Sequence, residues 1–163
     1  MNILGPVVLC LVAVAGLLVA ERRGSQQGIW LTKPVASAAF IWLGLASGAL
    51  DSAYGKLVLA GLALCMLGDV LLIPRNRPRV FRAGVFAFLL GHVAYSAAFL
   101  TLPLSFVGLA SGGVLLAVVI WNVLRWLGPA LPPDMIAAVR TYMVVICVMS
   151  TRACAVTAAG GAW

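Results

Sequence analysis

Six apolar runs separated by short polar breaks set the pattern of this chain: Ile3–Ala20, Val35–Leu50, Leu57–Ile73, Phe81–Leu100, Leu104–Leu124 and Met135–Thr151. A helix needs about 20 apolar residues to cross the hydrocarbon core of a bilayer, so each run predicts a transmembrane helix. The second run is short and reaches back to Ile29 if the helix passes Lys33-Pro34. Arg152 interrupts the end of the sixth. Pro74 and Pro78 bracket the third break, and Pro103, Pro129, Pro132 and Pro133 mark later turns, because proline lacks a donor and clashes with the preceding helical turn. Short connections favour antiparallel neighbours. The expected fold class is all-α: a polytopic transmembrane helix bundle of about six helices, forming one integral membrane domain over residues 1–163.

The polar breaks carry a charge alternation. The first has Arg22, Arg23 and Lys33; the third has Arg75, Arg77 and Arg79, with Arg82 just inside the next run; Arg125 and Arg140 flank the fifth. The second balances Asp51 against Lys56, and the fourth is uncharged. By the positive-inside rule the odd loops, including residues 74–80, are expected in the cytoplasm and the amino terminus outside. In a bacterium the membrane would be the inner, plasma membrane. The first run has no preceding positive charge and is followed by Arg22 and Arg23, the reverse of a secretory signal, so it reads as a retained helix.

Composition agrees with this pattern and narrows the chemistry. Of 163 residues, 64% are hydrophobic and 9% charged, where a soluble domain is about a quarter charged; mean hydropathy is +1.13. The net charge of +7 does not point to nucleic acid, because the basic residues lie in loops between apolar runs rather than on one basic face. Cys10, Cys65, Cys147 and Cys154 all lie in apolar runs without a Cys-x-x-Cys pair and read as buried thiols. One histidine cannot build a three-histidine zinc site, and no metal or cofactor is expected. Gly44-x-x-x-Gly48 and Gly108-x-x-x-Gly112 read as helix-packing pairs.

Asp69 carries the strongest functional signal. A carboxylate inside a membrane-length segment is expensive, and such residues face a cavity or a partner. On the following run, Gly84, Phe88, His92, Tyr95 and Phe99 share a helical stripe, as do Gly61, Cys65, Asp69 and Leu72 on Asp69's own run. At 1.5 Å per residue Asp69 and His92 differ in height by roughly 10 Å, so they are expected at opposite ends of one cleft rather than in direct contact. The bland alternatives are an Asp69 paired with an arginine of the loop, a His92 bonded between helices, aromatic residues that only pack, and an arginine run that only fixes topology.

At Leu67-Gly68-Asp69-Val70-Leu71-Leu72, Phe81-x-x-Gly84 and Phe88-Leu89-Leu90-Gly91-His92-Val93-Ala94-Tyr95 the chain resembles the YhhN family, which includes the mammalian transmembrane protein 86 group. Lys33-Pro34 is similar to another family feature, and Tyr142-Met143 through Met149 resembles a later helix more weakly. Known members act as lysoplasmalogenases, which hydrolyse the vinyl-ether bond of lysoplasmenyl-choline or -ethanolamine phospholipids to a fatty aldehyde and a glycerophospho-alcohol. The resemblance implies a bundle of about eight helices. This chain reaches Gly161-Ala162-Trp163 where a seventh helix is expected to open, so the last two helices and a second acidic residue are expected to be missing, and weak or no activity is expected of this chain.

Vinyl-ether hydrolysis needs an acid that protonates the enol-ether carbon, and burial of a carboxyl in an apolar site favours its neutral, donating form. The resemblance makes Asp69 the candidate general acid, with His92 positioning water or relaying a proton. Tyr95 and Phe88 are candidate substrate contacts, and Lys33 and Arg82 candidate partners of the phosphate. The expected partner is a membrane lysophospholipid. The alternative from another class is a non-enzymatic lipid-binding or structural multi-pass protein. A transporter is weaker, since no duplicated half or pair of broken helices is visible.

Overall fold

The computed structural model describes residues 3–74, 76–127 and 136–160. Arg75, the segment 128–135 with its three prolines and Asp134, and the Gly161-Ala162-Trp163 ending lie outside the described residues. Within them the chain is all-helical: α1 Leu4–Arg22, α2 Gln26–Ala46, a 3-10 turn Ala49–Asp51, α3 Ala53–Leu71, α4 Pro78–Leu100, α5 Phe106–Leu127 and α6 Ile136–Ala158. All six α-helices are long and apolar enough to cross a membrane.

Three boundaries differ from the sequence pattern in ways that matter. Helix α2 starts at Gln26 and runs through Pro34. Ser25 caps it by accepting the Gly28 N–H at 3.2 Å, which supplies a start signal stronger than the proline's tendency to break. Lys33 is therefore a helix residue, not a loop cation. The same helix ends at Ala46 rather than Leu50, because Gly48 takes a left-handed φ of 78° and opens the 3-10 turn. Gly48 is thus a turn glycine, not half of a packing pair. Helix α6 continues past Thr151 and Arg152 to Ala158.

The chain forms two compact units, Met1–Ala94 and Tyr95–Trp163. In the first, α2 packs against both α1 and α3. Apart from Pro6, Ile29 and Ile73, its buried hydrophobic positions are small (Ala13, Ala20, Ala36, Ala39, Ala46, Ala87), while Leu11, Val12, Leu31 and Phe86 are exposed. Small residues inside and large apolar ones outside are the packing logic of helices in lipid, where close backbone approach replaces burial from water as the driving force. Helix α3 uses Gly61, Cys65, Gly68 and Leu72 against α4: a Cβ on Gly68 would fall 2.5 Å from Phe88, one on Gly84 2.9 Å from Leu72, and one on Gly91 2.8 Å from the Cys65 sulfur. The Gln26 amide donates to the Ile73 carbonyl at 3.3 Å, which joins the start of α2 to the end of α3 and fixes them antiparallel.

In the second unit α5 packs on α6. A Cβ on Gly108 would fall 2.6 Å from Ala158 Cβ, and one on Gly112 would fall 2.8 Å from Cys154 Cβ, so this glycine pair does act as a helix contact. The Ser105 amide donates to the Ala155 carbonyl at 2.9 Å and secures the start of α5.

Candidate functional site in the first unit

Asp69 lies two residues before the end of α3. Successive helical residues are about 100° apart, so when Gly68 faces α4, Asp69 turns toward α2. There its Oδ1 meets the Lys33 ammonium at 3.3 Å, and its Oδ2 accepts from the Ser37 hydroxyl at 2.5 Å. Lys33 and Ser37 are one turn apart on α2 and so stand on one face. The Ser37 hydroxyl also lies 3.2 Å from the Lys33 carbonyl; with one proton to give, it alternates between the two acceptors. Ser37 is 9% exposed, while the Lys33 and Asp69 side chains are 24% and 25% exposed. The serine end is dry and the ion-pair end is open.

That open end faces a cleft of about 170 Å³ lined by Leu17 of α1, by Lys33, Ala36, Ser37 and Phe40 of α2, and by Leu62, Cys65, Met66 and Asp69 of α3. The wall is apolar apart from Lys33, Ser37 and Asp69. A charged pair held by one hydrogen-bonded hydroxyl, in an otherwise greasy slot between membrane-length helices, is an arrangement that can bind an amphiphile and move a proton at one point along it.

The other residues named from the sequence lie elsewhere. His92 bonds through Nδ1 to the Phe88 carbonyl at 2.7 Å, one turn back on its own helix. A carbonyl only accepts, so Nδ1 carries the proton in this contact. Phe88 packs against Gly68. Neither residue lines the Asp69 cleft. Arg82 lines a separate groove with Arg77 and Arg79, and Tyr95 belongs to the second unit. Among the described residues no three His, Cys, Asp or Glu side chains come together as a metal site.

The profile of the YhhN family matches residues 28–162. The chain belongs to the YhhN family. The YhhN match takes in α2, α3 and α4, and with them Lys33, Ser37 and Asp69. No curated protein and no solved structure matches the chain. Six membrane-length helices make this YhhN chain a multi-pass membrane protein. Ser37 is the site residue that sequence reasoning missed: a serine in an apolar run carries little signal until α2 is known to begin at Gln26 and to lie antiparallel to α3.

Proposed function

We propose that this chain is a membrane-embedded lysoplasmalogenase-type hydrolase that cleaves the vinyl-ether bond of a single-chain lysoplasmenyl phospholipid. The observation that carries the reading is the Lys33–Asp69–Ser37 cluster on the wall of an apolar cleft. YhhN membership supports it.

The chemistry suits this cluster. The Lys33–Asp69 pair holds one proton that can leave: the Lys33 ammonium passes it to Asp69 Oδ1, the carboxyl delivers it, and the pair is left as an amine and a carboxylate. Transfer of that proton to the enol-ether carbon creates an oxocarbenium ion on the substrate and leaves the pair with a net negative charge beside that cation. The charge that develops in the transition state is therefore opposed at the place where it forms. Water then adds to the oxocarbenium carbon and returns a proton to the pair. The hemiacetal collapses to a fatty aldehyde and the glycerophospho-alcohol, and the proton balance closes. Asp69 is the proton-handling carboxyl, Lys33 its charge partner, and Ser37 holds the carboxyl oriented.

Depth supports the same substrate. At 1.5 Å per residue, Asp69 sits about 3 Å and Lys33 about 10 Å from the helix ends joined by the Gln26–Ile73 bond. With the odd loops taken as cytoplasmic, the cluster lies just under the cytoplasmic headgroup layer, where the ether bond of a lysophospholipid resides. The deciding assay is incubation of the purified chain with lysoplasmenylethanolamine and mass-spectrometric detection of products. Fatty aldehyde and glycerophosphoethanolamine in equal amounts are expected. Binding without any product contradicts the reading and leaves a lipid-binding protein.

A further inference from the structure

We propose that the groove lined by Asn76, Arg77, Pro78, Arg79, Val80 and Arg82, about 580 Å³ in volume, binds a phosphate-bearing ligand, the headgroup of an anionic membrane phospholipid. The proposal does not rest on the hydrolase reading, since this groove shares no lining residue with the Asp69 cleft.

The groove gathers positive charge. Three guanidinium groups fall within six residues around one groove, and Arg79 and Arg82 are i and i+3 on one helix face. Asp69 is held on another helix by Lys33 and Ser37. Among the described residues no carboxylate is paired with any of the three arginines. Like charges crowded in this way repel one another unless an anion joins them.

The charges sit at the start of α4. Phe81 N–H donates to the Arg77 carbonyl at 3.0 Å, so Arg77 occupies the cap position of a 23-residue helix and Pro78 its first turn. That end of a helix carries the positive pole and favours acidic residues, yet the first turn has none. Cations placed there weaken the helix by themselves. The same geometry favours an anion, because the positive pole, the first-turn amides and guanidinium forks all suit phosphate oxygens.

The groove also has an apolar part. Pro78 and Val80 complete the wall, and the groove lies at the end of a helix long enough to span a membrane. A ligand with a phosphate head and an apolar body at the membrane surface matches both features. Topology alone asks for positive charge in this loop but not for a groove that gathers it.

The test uses the full chain, purified and folded in detergent, with short-chain phosphatidylglycerol, short-chain phosphatidylcholine and inorganic phosphate as probes. Each arginine near the surface contributes roughly fivefold, so phosphatidylglycerol is expected to bind on the order of 100-fold more tightly than phosphatidylcholine. The preference should shrink as salt is raised and vanish in the Arg77→Ala, Arg79→Ala, Arg82→Ala variant. Equal binding of the two lipids overturns the proposal, as does a preference that survives the triple variant. Inorganic phosphate binding as tightly as phosphatidylglycerol overturns the lipid assignment. If circular dichroism shows the triple variant unfolded, the Arg79→Gln variant and the salt titration of the unaltered chain decide: a preference insensitive to both refutes the site.

Discussion

The Lys33 ammonium lies 3.3 Å from the Asp69 carboxylate and joins α2 to α3 within the membrane-length part of both helices. Each residue alone would be a costly charge in an apolar run. Together, with Ser37 on the second carboxylate oxygen, they form a satisfied unit. Removing one partner strands the other. Lys33→Met is expected to lower stability by about 1–3 kcal/mol, less than for a fully buried pair because both groups are a quarter exposed. The double variant Lys33→Met, Asp69→Asn should recover much of that loss. Thermal unfolding of the two single variants and the double variant measures the coupling; purely additive effects would contradict a direct pair.

Ser37→Ala removes one hydrogen bond from Asp69 and leaves the helix intact. The expected cost to stability is about 1 kcal/mol. Aldehyde release should fall roughly tenfold, since a carboxyl free to rotate spends less time aimed at the reacting carbon. The drop should appear in kcat rather than in KM, as a kinetic comparison with the unaltered chain will show. A change in KM alone would make Ser37 a packing residue.

Glycine contacts predict opposite outcomes at two positions. A Cβ at Gly91 would fall 2.8 Å from the Cys65 sulfur and 3.1 Å from the Gly61 carbonyl oxygen, whereas one at Gly113 meets only Thr151 Cγ2 at 3.9 Å. Gly91→Ala should destabilise by about 1–3 kcal/mol by pushing α4 from α3. Gly113→Ala should be neutral or stabilise by up to about 1 kcal/mol through helix propensity. Melting temperatures of the two variants in one detergent give the comparison, and similar shifts would refute the close approach.

Much of the fold was legible because six apolar runs of membrane length leave little choice of element. The exception at α2 is instructive. A second run that starts at Val35 makes Lys33 a loop cation and a free phosphate contact, whereas one that reaches back to Ile29 past Pro34 makes it a helix residue. The helix passes through Pro34, and Lys33 then stands one turn from Ser37 facing α3. Asp69 was legible as a site from its cost alone. Its direction was not, because the stripe Gly61, Cys65, Asp69, Leu72 and the contact face Gly61, Cys65, Gly68, Leu72 differ by one residue. One residue is about 100° of helix, enough to turn Asp69 from His92 on α4 to Lys33 on α2. Periodicity finds a stripe but not the exact line of closest approach, which the small glycine at position 68 decides.

Arg152 offers a test in the second unit. It lies within α6, and its buried Nε has no hydrogen-bond partner among the described residues. A buried polar group without a partner costs about 1–3 kcal/mol. Arg152→Met keeps the length of the side chain and removes the orphan, so the melting temperature in detergent should rise. A fall would show that the guanidinium makes a stabilising contact.

The central claim is that the Asp69 carboxyl moves the proton in vinyl-ether cleavage. The most direct measurement is release of fatty aldehyde from lysoplasmenylethanolamine by Asp69→Asn, purified beside the unaltered chain and matched to it in helical content by circular dichroism. Asparagine keeps the size and the Ser37 contact but cannot deliver the proton. The account predicts aldehyde release by the unaltered chain and a loss on the order of 100-fold or more in the variant; undiminished turnover by a folded Asp69→Asn protein would contradict it.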